Sequence, residues 1–353
     1  DTSGFTLHQL PPVRSPDDTY TRLVDDQGRE AAPALHAERS KALVRILDEV
    51  QPDALMVEMF PFGRSQIATE MIDLIEAARA RTPRPLILSS VRDIVPAKRT
   101  LERYEEMADQ VNAWFDAVLV HGDAALIAFD KSFPPSRRIA DRIRYTGYVL
   151  SPAQEPATNT ADGEVVVSAG GGAFGAKLLH AALQARSSGI LDRELAEAPW
   201  RLLTGPNIPD PDWDAINKQA GDGITVERMR ADFRSLLARA RLSVSLCGYN
   251  TALEVLEAGV PAVMVPAGSG RQNEQRRRAQ ALLRHGLVQE VPEAELTAST
   301  LAAAINRAAA PRPPAQKSGI RIDLSGAGTT RRLIQDMLAG ARPEKDSELA
   351  SPA

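Results

Sequence analysis

Short apolar runs alternate with amphipathic stretches along the whole chain, and no other feature constrains the fold as strongly. Ala54-Leu55-Met56-Val57, Pro85-Leu86-Ile87-Leu88 and Ala117-Val118-Leu119-Val120 are too short for helices and read as strands buried on both faces. Between them, 36–50, 65–82 and 100–114 repeat their apolar positions at helical spacing. Strand and helix in alternation predict parallel sheets covered by helices, an α/β fold.

A break follows, and then a second series. Residues 151–163, SPAQEPATNTADG, have the Pro/Ala/Thr-rich polar composition of a linker. Strands are expected beyond it at 164–168, 200–204, 223–226, 242–246 and 262–266. Helices are expected at 177–186, 228–239, 272–285, 296–309 and 328–339. A length of 353 residues suits two domains of about 150 residues each. The expected division is a first domain over 1–150, the linker over 151–163, a second domain over 164–340 and a polar tail over 341–353. The chain opens on Asp1 without an initiator Met, and the expectation is that it starts inside its first domain.

Composition narrows the function classes. A net charge of −4 argues against a nucleic-acid partner. The chain is 43% apolar but carries no uninterrupted membrane-length run. Cys247 is the single cysteine, which excludes intrachain disulfides and Cys-rich metal sites and fits a reducing cytoplasm. Five histidines with no His-x-x-x-His pair argue against a zinc centre, so no metal and no cofactor is expected. Arginines cluster at Arg137, Arg138, Arg142 and Arg144 and again at Arg276-Arg277-Arg278. Such clusters are solvated helix faces or contacts to an anionic substrate or lipid headgroup.

In sheets of this kind ligands bind outside the carboxyl ends of the strands. Three such places stand out in the second half. SAGGGAFGA, 168–176, joins a strand to a helix, and its glycines allow close backbone approach to a phosphate, although a plain tight turn has the same composition. It is neither a Walker loop nor a clean GxGxxG fingerprint. Cys247-Gly248-Tyr249-Asn250 opens another helix with unpaired N–H groups. There Thr251 and Glu254 have the spacing of a capping box, while Glu254 equally suits ribose hydroxyls. In the third, 266–279, Glu274 and Gln275 offer a carboxylate beside a carboxamide, a pairing that suits vicinal hydroxyls and also occurs at ordinary helix starts.

Residues 245–286, SLCGYNTALEVLEAGVPAVMVPAGSGRQNEQRRRAQALLRHG, resemble the C-terminal signature of the family-28, MurG-like glycosyltransferases. Gly170-Gly171-Gly172-Ala173-Phe174-Gly175 stands where that family has a Gly-Gly-Ser-Gln-Gly turn, so the similarity spans roughly 164–290. In the first half, 58–64, 90–94, 120–123 and 145–149 resemble a bacterial group of predicted glycosyltransferases. The resemblance implies the GT-B fold, two Rossmann-like parallel-sheet domains facing a cleft, with the acceptor on the first and a nucleotide-sugar, UDP-linked by the family's habit, on the second. It implies that Gly171, Gly172, Ala173, Gly248, Tyr249, Asn250 and Thr251 bind the diphosphate and that Glu254 binds the ribose. Glu274 and Gln275 would touch the sugar, and Val226, Glu227 and Arg228 would hold the base. Two departures are Gly172 in place of the family's Ser and the lack of a counterpart to its first strand and Gly-His loop.

The implied reaction is inverting, metal-independent transfer of a glycosyl group to an acceptor hydroxyl or amine. The acceptor would be a lipid-linked sugar, a glycan or a small molecule. General-base candidates at strand ends are Glu58, Asp93 and His121. Glu58 and Asp93 are alternatively ion-pair partners of Arg64 or Arg92, and His121 a strand-end hydrogen bonder. A cytoplasmic site, with or without peripheral contact at the inner face of the membrane, is the corresponding location. Two alternatives stay open: a sugar-nucleotide 2-epimerase or hydrolase of the same fold, and a non-catalytic nucleotide-sugar-binding protein.

Overall fold

The computed structural model describes residues 4–16, 22–96, 99–151, 162–170, 175–205, 208–267, 273–311 and 320–341. In the first half, α1 (Pro33–Val50) leads to β1 (Ala54–Glu58), α2 (Ala68–Arg79), β2 (Leu86–Arg92), α3 (Leu101–Trp114), β3 (Ala117–His121) and β4 (Ile143–Tyr145). The four strands form one parallel sheet in the order β1-β2-β3-β4. Alternation along the strands divides the apolar residues between two layers. Val57, Ile87, Val118 and Val120 pack with Leu47, Leu74, Ile75, Met107 and Val111 of α1, α2 and α3. Leu88, Ala117 and Leu119 face the opposite side.

The second half runs β5 (Val165–Ser168), α4 (Gly175–Ser187), α5 (Arg193–Glu197), β6 (Trp200–Thr204), α6 (Asp210–Gln219), β7 (Ile224–Arg228), α7 (Phe233–Arg239) and β8 (Leu242–Ser245). It continues with α8 (Tyr249–Ala258), β9 (Ala262–Met264), α9 (Glu274–Arg284), β10 (Gln289–Glu290), α10 (Ala298–Ala309) and α11 (Gly326–Ala341). Its six parallel strands are ordered β10-β9-β8-β5-β6-β7. In chain order this is the doubly wound arrangement, with its topological switch point between β5 and β8. One face is covered through Leu178 and Leu183 of α4, Ile216 of α6, and Leu301 and Ile305 of α10. The other is covered through Phe233 and Leu237 of α7, Leu253 and Val255 of α8, and Leu282 of α9.

Two features join the halves. Ile94, Leu126, Ile127 and Tyr148 of the first domain are buried in the same apolar cluster as α7, α8 and α9, so the domains share a packed seam. The last helix returns across that seam: Leu333, Ile334 and Met337 of α11 pack on Leu86, Leu88, Ala117 and Leu119 of the first sheet. The expected division had left all residues to 340 with the second domain; α11 instead supplies the cover for the first sheet's second face. Gly147 and Gly326 allow the crossing. Gly147 has φ +78°, and a Cβ there would lie 2.6 Å from Asp323 Cγ. A Cβ on Gly326 would lie 2.5 Å from the carbonyl oxygens of Gly147 and Tyr148.

Candidate functional site

The carboxyl ends of β5 and β8 flank the switch point, and each feeds one of the glycine-bearing turns. Gly171, Gly172 and Ala173 lie outside the described residues. Ser168, the last residue of β5, is fully buried, and its hydroxyl has no hydrogen-bond partner among the described residues. After β8, Cys247 is buried, and burial pushes its thiol up to about 12, which removes it as a nucleophile near neutral pH.

The helix that follows begins earlier than a Thr251–Glu254 capping box requires. Gly248 is the N-cap of α8, in extended conformation, and no side chain caps the helix. Thr251 is therefore already inside the first turn, and the first N–H groups point toward the switch point without a side-chain acceptor. The capping box that does form lies at Thr297 and Thr300, at the start of α10. Glu254, released from capping, makes no hydrogen bond among the described residues. Burial raises its carboxyl above the usual range, and Arg234 opposes that effect. Asn250 is exposed.

Glu274 and Gln275 open α9 and play different parts. The Gln275 side-chain oxygen accepts from the Cys247 N–H at 3.1 Å and from the Ala267 N–H at 3.0 Å. Both partners are donors, which fixes the amide orientation; its NH2 group bonds none of the described residues. This bond pair clamps the turns after β8 and β9 to the start of α9. Glu274 carries no hydrogen bond among the described residues; burial raises its carboxyl, and Arg278 one turn on partly offsets this.

Val226, Glu227 and Arg228 lie in β7, the strand at one edge of the second sheet. Val226 packs on the core. Glu227 accepts from Arg201 Nη1 at 2.6 Å, and the Arg228 guanidinium lies 4.9 Å from the Trp213 ring centroid. The side chains are thus committed within the domain, and the backbone of this edge faces outward for a ligand.

Of the three base candidates, Glu58 is exposed and paired with Arg64 at 2.6 Å and Arg92 at 3.9 Å. Asp93 is fully buried, and both its oxygens are taken by Arg278 of α9, at 2.7 and 2.9 Å. It is the buried half of an interdomain ion pair with no solvent-facing oxygen. His121 ends β3, half-buried, with Nε2 2.8 Å from Ser90 Oγ and Nδ1 2.9 Å from Thr146 Oγ1. The Thr146 hydroxyl donates to the Gly147 carbonyl at 2.7 Å, so it must accept from Nδ1–H. Nε2 therefore carries the lone pair and accepts from Ser90. Burial pushes the imidazole below its ordinary pKa, which keeps it neutral.

The two domains meet at Tyr249, the first residue of α8. Its hydroxyl donates to the His121 carbonyl at 2.9 Å. Its ring lies 5.7 Å from the Arg92 guanidinium and 5.5 Å from that of Arg278. His121, Asp93, Tyr249, Glu274 and Gln275 are thereby brought to one seam; Glu254 lies farther along α8, and 226–228 at the far edge of the sheet. Ser90, Thr146, Tyr148 and Arg278 belong to this seam and were not singled out from sequence. Three of them stand inside the motifs 90–94 and 145–149, which was the available signal. Arg278 was hidden in a run of three arginines, of which Arg277 bonds the Lys131 carbonyl. Among the described residues no group of three His, Cys, Asp or Glu side chains is placed to hold a metal ion, and no helix is long and apolar enough to cross a membrane.

Residues 166–323 match the glycosyltransferase family 28 C-terminal domain. The second domain is similar to that family over most of its length. A UDP-N-acetylglucosamine--N-acetylmuramyl-(pentapeptide) pyrophosphoryl-undecaprenol N-acetylglucosamine transferase of an Exiguobacterium species is 35% identical over 98 residues, 27% of each chain. The same enzyme of Exiguobacterium sibiricum is 26% identical over 150 residues, 41% of this chain and 40% of that one. The matches thus span well under half the length of these relatives. Among solved structures, MurG of Acinetobacter baumannii superposes with a TM-score of 0.53 at 17% identity, over 89% of this chain and 83% of that one. The calicheamicin glycosyltransferase CalG4 superposes with a TM-score of 0.51 at 17% identity, over 87% and 76%. The architecture is the GT-B fold of glycosyltransferases.

Proposed function

We propose that the protein transfers a glycosyl group from a nucleotide-diphosphate sugar to an acceptor, with inversion and without a metal ion. The observation that carries this reading is the Tyr249–His121 hydrogen bond, which sets the first turn of the donor-domain helix against the strand end of the first domain. A leaving diphosphate at the switch point gains negative charge, and the uncapped start of α8 faces it with N–H groups and the positive end of the helix dipole. Gly171, Gly172, Ala173 and Gly248 to Thr251 would hold that diphosphate. Glu254, half-buried and without a hydrogen-bond partner, would accept from the ribose hydroxyls. Glu274 and the free NH2 of Gln275 would touch the sugar, and the outward backbone of 226–228 would hold the base.

Of the base candidates, His121 suits the task best. It is neutral, its lone pair is directed, and it adjoins the donor helix, whereas Asp93 is committed to Arg278 and Glu58 to Arg64. The relatives' names specify a UDP-N-acetylglucosamine donor and a pyrophosphoryl-undecaprenol-linked acceptor. We take UDP-N-acetylglucosamine as the first donor to test and a lipid-linked sugar as the first acceptor class, which would place the protein at the cytoplasmic face of a membrane. Release of nucleoside diphosphate, followed with and without acceptor, separates the readings. Acceptor-dependent release supports transfer, acceptor-independent release supports hydrolysis or epimerisation, and binding without release supports a non-catalytic role.

A further inference from the structure

Ser90 lies on the sheet face shared with Leu88, two residues beyond the cover provided by α11, and at a half-buried position. Its Cα is in register with Glu58 of β1 and Leu119 of β3, so it sits in the middle of the sheet's carboxyl end rather than on an outer strand. The Ser90 hydroxyl proton is directed to His121 Nε2, because Nδ1 holds the imidazole's proton on Thr146. The Ser90 carbonyl is engaged separately, accepting from the Met59 N–H at 2.7 Å. No other group occupies the lone pairs of Ser90 Oγ among the described residues. A hydroxyl with a fixed proton and open lone pairs is an acceptor awaiting a donor. One turn of α11 before Ile334, on the same helix stripe, the Thr330 hydroxyl is buried without a partner among the described residues.

Resting on the transfer reading above, we propose that Ser90 is the residue that touches the sugar acceptor, and that the acceptor's reacting group is a hydroxyl. The acceptor O–H donates to Ser90 Oγ. As the acceptor oxygen bonds to the anomeric carbon, the bond from that carbon to the diphosphate oxygen breaks, and the electron pair leaves with the diphosphate. The acceptor proton passes to Ser90 Oγ while the Ser90 proton passes to His121 Nε2, giving an imidazolium whose Nδ1–H remains on Thr146. Thr146 is a positioning residue: it fixes the tautomer that points the lone pair at Ser90.

The test uses the whole chain with UDP-N-acetylglucosamine and a pyrophosphoryl-undecaprenol-linked sugar as acceptor, reading acceptor-dependent UDP release by chromatography and donor affinity by calorimetry. Ser90→Ala should leave donor affinity unchanged, which also shows that it folds, and lower the rate of release about a hundredfold, within the range for general-base assistance. Ser90→Thr keeps the hydroxyl on a residue that strands accept and should restore most of the rate. Equal release by wild type and Ser90→Ala overturns the relay and leaves the transfer reading standing. A wild-type protein that neither binds nor cleaves any UDP-, GDP- or dTDP-sugar overturns the transfer reading and the relay with it.

Discussion

His121 shows how a single residue's surroundings fix its chemistry. Its two ring nitrogens are spoken for by Ser90 and Thr146, and burial lowers its pKa from the ordinary 6.5. The unfolded chain therefore takes up the proton first on acidification. Stability owed to the neutral ring is complete above about 6.5 and is lost as the pH falls through the folded-state value. Urea unfolding of wild type and His121→Asn should show a stability gap that is constant at pH 7 to 8 and narrows below that ordinary value; a gap independent of pH would contradict the neutral, buried assignment. From sequence, His121 was legible as a polar residue ending an apolar strand. Its partners were not, because Ser90 and Thr146 lie 31 and 25 residues away and only strand pairing brings them together.

At the scale of elements, the clamp made by Gln275 fixes the turns that would line the proposed donor site. One carboxamide oxygen satisfies the N–H groups of Cys247 and Ala267, the turns after two neighbouring strands. Gln275→Met keeps the volume and leaves both N–H groups unpaired, at a cost of about 1 to 3 kcal/mol. Gln275→Glu keeps the acceptor and should retain most of that stability, as measured by urea unfolding. The long strands and helices were legible because their periodicity is strong: β3 is a run of four fully buried residues followed by His121. β4 and β10, of three and two residues, are too short to show a period. The capping box that the Thr251–Glu254 spacing allowed does not form, for a local reason: the strand–turn leaves Gly248 as the cap, so the helix is under way before Thr251 is reached.

For the whole molecule, the seam between domains rests on a charge pair. Asp93 and Arg278 are buried at 0% and 3% relative exposure and join the first sheet to α9. Asp93→Ala strands the Arg278 guanidinium in the seam and should cost about 3 to 5 kcal/mol. Replacing both partners with apolar residues, Asp93→Leu with Arg278→Met, should recover much of that loss; a double variant no more stable than the single one would show that the pair itself supplies the cohesion. Because Arg278 shares its helix with Glu274 and Gln275, the pair also ties the start of that helix to the first domain. Two α/β halves were legible in the alternation of strand and helix. That α11 returns to the first sheet was not, since an apolar stripe on a helix states that it is buried and not against what.

The proposed function stands on a nucleotide-sugar pocket at the switch point of the second sheet, with Glu254 on the ribose. Calorimetric titration of UDP-N-acetylglucosamine into wild type and Glu254→Ala tests it most directly. Saturable binding at one site per chain is expected, with affinity at least about tenfold weaker in the variant, the loss of a hydrogen bond to a charged group. Equal affinity in the two proteins, or no binding of any nucleotide-sugar by wild type, would contradict it.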